Sequence, residues 1–276
     1  MLPNLIVIGA GRCGTTSLHH YLGEHPEIFM AERKELMFFV QELKWARGVA
    51  WYERQFPVEA HVRGETSPQY TLYPLYQGVP ERMADLVPDA KLIYLVRDPF
   101  ARLLSQYALS HSFGHDPRTL GEALASEERS LYVDAGRYWT QLGRFLEHFP
   151  RERILVLDAD DLQRRRRELL RSVFSFLEVD PEFESPAFAS EHNVVPEREG
   201  RTGFRRLGGA AQAAIGFERY RRLLSQAPRA LRPLFTTPRT APVLEPAVHA
   251  ELEAIFRDEA ARLRELTGLP LAGWSV

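Results

Sequence analysis

Cysteine and lysine are both scarce in this chain of 276 residues. The one cysteine, Cys13, excludes an internal disulfide framework and any cysteine-built metal site. Lysine occurs only as Lys34, Lys44 and Lys91, so 32 of the 35 basic residues are arginine, and any single arginine can reflect composition as much as function. No apolar run approaches the roughly 20 residues of a membrane-spanning helix. The first such run, Leu5 to Ile8, has no basic flank and is too short for a signal-peptide core. A charge imbalance is also missing. The formal net charge is −2, with 45% hydrophobic and 11% aromatic residues, which describes a globular chain and not a disordered or polybasic one. Together these absences predict a cytoplasmic protein that binds neither nucleic acid nor membrane, and the length suits a sizeable core.

The most informative stretch present is Leu5-Ile-Val-Ile-Gly9-Ala-Gly11-Arg12-Cys13-Gly14-Thr15-Thr16-Ser17, an apolar run that breaks into a glycine-rich turn and then helix-forming sequence. Gly9 and Gly14 have the spacing of a phosphate loop, in which backbone N–H groups wrap an anion at a helix N-terminus. Thr15 stands where a nucleotide-kinase loop places lysine, so the ligand expected is one with a shorter anionic chain than a triphosphate. Cys13 invites a phosphatase reading, but a Cys-x5-Arg loop would need arginine where His19 stands. Cys13 therefore reads as a small turn residue.

Three apolar runs, Leu5 to Ile8, Leu92 to Val96 and Ile154 to Leu157, read as buried parallel strands, with Val62 to Glu65 as a shorter one. Helix-type sequence follows at Thr16 to Leu22, Phe100 to Leu109 and Asp161 to Leu177, and further helical segments are predicted at Arg82 to Leu86 and Tyr138 to Phe149. This alternation predicts an α/β fold, a P-loop-like doubly wound parallel sheet flanked by helices, with the ligand at the strands' carboxyl ends. Beyond about residue 190 no strand is expected. A basic loop leads to helical stretches around Ala210 to Leu224 and Pro246 to Leu266, and with no clear linker the whole of 1–276 reads as one domain: a core to about 190, then a loop and helical cap over about 191–276. The run Arg164 to Arg167 reads as a solvated helix face.

A second marker is Lys91-Leu-Ile-Tyr-Leu-Val-Arg97-Asp98-Pro99-Phe-Ala-Arg102-Leu-Leu-Ser105-Gln-Tyr107, a strand ending in Arg-Asp-Pro and a helix presenting a serine. Arg97 and Ser105 can converge on one anion, the arginine through its fork and the serine through its hydroxyl. With the loop, this segment resembles the sulfotransferases that use 3′-phosphoadenosine 5′-phosphosulfate (PAPS). Lys34-Glu35-Leu36-Met37-Phe38-Phe39 is similar to the Lys-Glu-x-x-Phe-Phe segment of the branch that includes heparan sulfate sulfotransferases. Trp51-Tyr52, Phe56-Pro57, Gly64-Glu65-Thr66-Ser67-Pro68-Gln69-Tyr70, Gly136-Arg-Tyr138, Gln141-Leu142, Phe149-Pro150, Asp161-Leu162 and Trp274 also resemble elements of that branch, in the same order.

The resemblance implies a donor site in which Arg12, Cys13, Gly14, Thr15, Thr16 and Ser17 hold the 5′-phosphosulfate and Arg97 and Ser105 the 3′-phosphate. It implies Glu35 as acceptor base, Arg12 stabilising the departing phosphate, Arg201 in a late basic loop beside Gly200, PAP as product and no metal. The acceptor is a small molecule or glycan; the oligomeric state is not encoded in any of these motifs. The chain departs from the family pattern at Arg12, where lysine is usual, at Met37, where some relatives have histidine, and at Thr66, where some have lysine. Two other readings stand beside this one: a P-loop kinase or NTPase with Asp158 as metal-binding aspartate, and a nucleotide-binding homologue with impaired catalysis.

Each residue also has a structural alternative. Glu35 can be a surface helix carboxylate paired with Lys34, and Arg97 a strand-end partner of Asp98. Ser105 can bond its own helix, and Thr15, Thr16 or Ser17 can cap theirs. His19, His20, His111 and His115 read as packing or surface histidines, with His111 the reserve base. Trp45, Trp51, Tyr70 and Tyr73 are divided between an acceptor cleft and the core.

Overall fold

A computed structural model describes residues 1–112, 118–126, 129–190, 198–200, 236–238 and 242–276. The sheet has five parallel strands, β1 (Leu5–Gly9), β2 (Ile28–Met30), β3 (Val62–Thr66), β4 (Lys91–Val96) and β5 (Ile154–Asp158), in the order β2-β3-β1-β4-β5. Every residue of β1 is buried, as expected of an aliphatic strand covered on both faces. After β1 the chain crosses to the edge strand β2 and comes back inward through β3, and it then adds β4 and β5 on the other side of β1. That reversal puts the crevice for a ligand at the carboxyl end of β1. The helices α1 (Thr15–Gly23), α2 (Val49–Glu53), α3 (Val79–Leu86), α4 (Pro99–Ser112), α5 (Leu120–Leu124), α6 (Arg129–Tyr132), α7 (Tyr138–Leu146), α8 (Ala159–Arg164), α9 (Arg166–Leu177) and α10 (Pro246–Thr267) flank it.

The pattern-based expectations hold for four strands and for the helices expected at Thr16 to Leu22 and Phe100 to Leu109. The edge strand β2 is only three residues long, too short to leave a periodic signal. The helix expected over Asp161 to Leu177 is two helices, broken at Arg165 (φ −130, ψ 42). A short antiparallel pair, β6 (Arg198–Gly200) with β7 (Thr236–Pro238), corrects the expectation of no strand beyond residue 190. The run Arg164 to Arg167 is only partly a solvated face: Arg165 pairs with Asp161 at 2.7 Å and Arg167 with Glu184 at 3.4 Å, but Arg166 turns inward over the Tyr21 ring at 5.2 Å. Arg201, Arg205, Arg206, His115 and the helix expected around Ala210 to Leu224 lie outside the described residues. Among those described, no helix is long and apolar enough to cross a membrane.

The C-terminal helix α10 bears directly on the rest. Its Glu259, 5% exposed, accepts from the N–H of Thr140 at 2.8 Å and from Arg137 Nε at 3.2 Å. A carboxylate at the first turn of α7 answers that helix's free N–H groups and positive end. Phe256 and Leu252 of α10 pack with Phe100, Leu103 and Tyr107 of α4 in a second apolar cluster, and Leu263 and Ala260 join the main one.

A buried carboxylate organises the segment between β2 and α2. Glu65, fully buried near the end of β3, accepts from Tyr52 Oη at 2.7 Å, Tyr70 Oη at 2.7 Å and Ser67 Oγ at 2.6 Å. Tyr70 Oη in turn accepts the Phe38 N–H at 2.9 Å, and Ser67 Oγ the Met37 N–H at 2.9 Å. Since both hydroxyls already receive an N–H, their own hydrogens point at Glu65. Burial pushes the Glu65 carboxyl up from its ordinary pKa, against the pull of its three hydrogen bonds. Burial and the adjacent Glu65 drive the Tyr52 and Tyr70 phenols well above theirs. Glu65→Gln puts an N–H where only acceptors fit. It is expected to lower the unfolding free energy by about 1–3 kcal/mol and the Tm by several degrees, read by urea and thermal unfolding. A variant as stable as the parent would deny the carboxylate this role.

Candidate active site

The loop after β1 reaches α1 through Gly14, which sits at the helix N-cap with φ +86 and ψ 11. That left-handed conformation suits glycine, and a Cβ there would also press on Leu162 Cδ2 at 3.1 Å. Gly9 is needed for a different reason: a Cβ would overlap the Thr71 hydroxyl. With glycine at the N-cap, Thr15, Thr16 and Ser17 occupy the first turn itself and none is the capping residue, contrary to the capping alternative. Gly14, having no side chain, offers no capping acceptor of its own to the first turn of α1, and a helix N-terminus opened by glycine in this way can hold an anion. Thr15 is buried; Thr16 and Ser17 are half-buried.

Arg12, at φ +71, turns its side chain across to α4 and donates from Nε to Ser105 Oγ at 3.1 Å. This contact joins the two motifs, which are 93 residues apart in sequence. Arg97 follows β4 directly, and its main-chain N–H donates to Tyr138 Oη at 3.3 Å. Its guanidinium makes no ion pair among the described residues. Asp98 is engaged elsewhere: it accepts the Ala101 N–H at 2.7 Å at the start of α4, and the Ser275 N–H and hydroxyl at 2.6 Å each.

Three arginines, Arg102, Arg97 and Arg12, bear electrostatically on Cys13. Burial nonetheless raises the Cys13 thiol to about 11, so it is no nucleophile at neutral pH. Its Sγ lies 3.7 Å from Gly11 O and from Tyr138 Oη, the packing of a turn residue. Arg102 is 1% exposed and donates to the carbonyls of Leu131 and Tyr132, while its Nε has no hydrogen-bond partner. Positive charge is thus concentrated where the β1 loop meets the start of α4.

Glu35 lies at the carboxyl end of β3, with its N–H bound to Thr66 O at 2.9 Å. It is in a loop and not on a helix, at φ +64, and Met37 follows at φ +52. Lys34 Nζ is 2.8 Å from Glu35 Oε1, and Gln69 Nε2 donates to Oε2 at 2.8 Å. Burial alone would raise the Glu35 pKa, but the Lys34 charge and the two hydrogen bonds bring it below the ordinary carboxylate value. In this state Glu35 is a weaker base than a free glutamate, whereas burial alone would favour base catalysis.

His19, 7% exposed on α1, places Nδ1 3.0 Å from Thr66 Oγ1. The pattern marked it only as a packing or surface histidine; the Thr66 hydroxyl is the contact missed, and nothing in the spacing of positions 19 and 66 indicates it. The hydroxyl of Tyr138, which braces Cys13 and Arg97, and the role of Glu65 were also not read from sequence, although a glutamate inside a buried strand was the available signal. His111 stacks on Tyr107 at 5.3 Å near the end of α4. Asp158 caps α8 through the Asp160 N–H at 3.0 Å. Tyr52 and Tyr70 are core residues, and Phe38 stacks on Tyr52 at 4.2 Å and 7°. Trp45 and Trp51 are partly buried against the same cluster, and Arg144 lies over the Tyr73 ring at 5.0 Å.

Residues 2–194 match the sulfotransferase domain family. Over 203 residues the chain is 30% identical to bifunctional heparan sulfate N-deacetylase/N-sulfotransferase 1 of Caenorhabditis briggsae, an alignment covering 66% of this chain and 23% of that protein. Heparan sulfate glucosamine 3-O-sulfotransferase 5 of Mus musculus is 29% identical over 198 residues, covering 65% of this chain and 54% of that one. The alignments thus span about a quarter to a half of the length of these curated relatives. Among solved structures, a sulfotransferase from Alicyclobacillus acidocaldarius superposes with a TM-score of 0.70 at 25% identity, over 100% of both chains.

The His19 environment sets a pH dependence. Burial, with help from the Lys34 and His20 charges, lowers its pKa from 6.5 to about 4. The folded state therefore binds fewer protons than the unfolded one between these values. Stability is complete above about pH 6.5 and falls as the pH drops toward 4, by about 3 kcal/mol in total. Urea unfolding at pH 7 and pH 4.5 is expected to show a smaller loss in His19→Gln, which does not titrate, than in the parent. Parallel losses would place His19 in solvent.

Proposed function

The chain belongs to the sulfotransferase domain family, and on that premise we propose that it transfers a sulfuryl group from PAPS to a hydroxyl or amine of a carbohydrate or small-molecule acceptor, by in-line displacement. The observation that carries the reading is the Arg12–Ser105 hydrogen bond at 3.1 Å. It unites the phosphate loop with the strand-helix motif in one cationic site. The residues present fit a bis-anionic nucleotide: a glycine-opened N-terminus at α1, an Arg97 guanidinium without an ion-pair partner among the described residues, and the positive charge of Arg102, Arg97 and Arg12 around Cys13.

In this reading the loop N–H groups, Thr15, Thr16 and Ser17 hold the 5′ end, and Arg97 and Ser105 the 3′-phosphate by charge-assisted and hydroxyl contacts. PAPS supplies the sulfuryl group, and PAP departs with the electron pair of the broken bond. Arg12 stabilises the charge that develops there, and Glu35 takes the acceptor's proton. A loose transition state asks the protein mainly for alignment and electrostatics, with no covalent intermediate. The scheme needs no metal. The acceptor class follows the relatives named for heparan sulfate, extended to small molecules because acceptor loops vary on a common scaffold. We place the reaction in the cytoplasm.

Calorimetric titration tests the donor site. PAP is expected to bind in preference to 5′-AMP and magnesium ATP, and Arg97→Ala to weaken PAP by about 10- to 100-fold, the value of a charge-assisted hydrogen bond. Preference for magnesium ATP would overturn the reading. Glu35→Gln is expected to bind PAP normally and to lose at least about 100-fold in turnover at saturating donor; full turnover would remove Glu35 from the base role.

A further inference from the structure

Lysine at position 34 is notable in a chain that uses arginine for 32 of its 35 basic residues, including Arg12 in the phosphate loop. Lys91 has a structural place, with Nζ donating to Phe176 O at 2.8 Å and pairing with Glu178 at 3.1 Å. Lys34 is different. Its side chain is 20% exposed and makes a single short contact, Nζ to Glu35 Oε1, with the carboxylate assigned as base. Arginine in its place would clamp that carboxylate with a planar fork, whereas an ammonium is a compact charge on a flexible stem that can exchange one anion for another.

The surroundings permit that exchange. The backbone beside Lys34 is fixed: Glu35 N is held by Thr66 O, Met37 N by Ser67 Oγ and Phe38 N by Tyr70 Oη, with Glu35 and Met37 kept at positive φ. Such a conformation is retained where the surrounding structure determines it. Only the lysine side chain has to move. The pair lies beside α1, the helix that opens on the phosphate loop: Glu35 N–H bonds Thr66 O at 2.9 Å, and the Thr66 hydroxyl is 3.0 Å from His19 Nδ1 on that helix. Of the groups that touch or bear on the pair, Gln69 is neutral, and burial with the Lys34 charge holds His19 neutral at physiological pH.

We propose that Lys34 is the sulfuryl-binding cation of this site, and that its passage from Glu35 to the donor's sulfuryl oxygens frees Glu35 to act as base; the inference rests on the sulfotransferase reading above. Without donor, Lys34 holds the carboxylate in a weakly basic state. With donor bound, Lys34 Nζ contacts sulfuryl oxygen and leaves Glu35 Oε1 open to the acceptor. Glu35 Oε1 then takes the proton of the acceptor O–H or N–H as that oxygen or nitrogen bonds to sulfur. The S–O bond to the phosphate breaks, with its electron pair remaining on the phosphate oxygen. Lys34 keeps its proton throughout, and Arg12 faces the departing phosphate.

The test compares two nucleotides that differ only in the sulfuryl group. PAP and PAPS are titrated calorimetrically, without acceptor, into the parent protein, Lys34→Met and Lys34→Gln. Both variants are expected to bind PAP within about twofold of the parent, which also reports an intact fold, and to bind PAPS at least tenfold more weakly. A PAPS-to-PAP affinity ratio unchanged from the parent, in either variant that retains PAP binding, overturns the inference and leaves the sulfotransferase reading standing. A parent protein that does not prefer PAP to 5′-AMP defeats that reading itself.

Discussion

The candidate site depends on one buried carboxylate. Glu65 gathers the hydroxyls of Tyr52, Tyr70 and Ser67, and two of them pass the constraint on to the N–H groups of Phe38 and Met37. A charge taken out of water is tolerable only when its lone pairs are answered. Here the groups that answer it come from α2 and from the turn after β3, so satisfying Glu65 fixes these elements against the strand that carries it. The same network holds the irregular 35–39 loop, which has no regular hydrogen bonding of its own. Glu35 is thereby delivered to the carboxyl end of β3 and next to β1, whose Val7 pairs with Thr66.

The two sides of the site differ in how their charge is balanced. On the side proposed for the donor, Arg97 has no carboxylate partner among the described residues and Arg102 is buried against carbonyls. On the side proposed for the acceptor, Lys34 and Glu35 neutralise each other at 2.8 Å. An excess of fixed, poorly compensated positive charge attracts and orients an anion without reorganising when it arrives. A neutral ion pair has the opposite virtue, since it can be opened by a competing charge. The C-terminal helix takes part from a distance: Glu259 fixes the start of α7, and Tyr138 there braces both Cys13 and Arg97.

The parallel core was legible because fully buried strands must be apolar along their whole length, and Leu5 to Ile8, Leu92 to Val96 and Ile154 to Leu157 are. The loop was legible because left-handed and close-packed backbone demands glycine, as at Gly14 and Gly9. The break at Arg165 was not, since no glycine or proline marks it, and neither was β2, whose three residues carry no period. The pair β6 and β7 lies 35 residues apart along the chain and shows no alternation to announce it.

The sequence by itself determined the buried strands β1, β4 and β5 and the glycine turn after β1, because each is written in a short stretch where local backbone rules and side-chain type suffice; it offered Arg97 and Ser105 as an anion-binding pair, while Arg12 and Glu35 became candidates through the family resemblance. Tertiary structure alone decided which of them meet. That Arg12 reaches Ser105 across 93 residues, that Lys34 occupies Glu35, and that His19 is buried against Thr66 are consequences of strand order and of packing around Glu65. Basicity was decided at the same level: the pKa of Glu35, His19 or Cys13 is set by burial and by neighbouring charges that come from other elements of the fold.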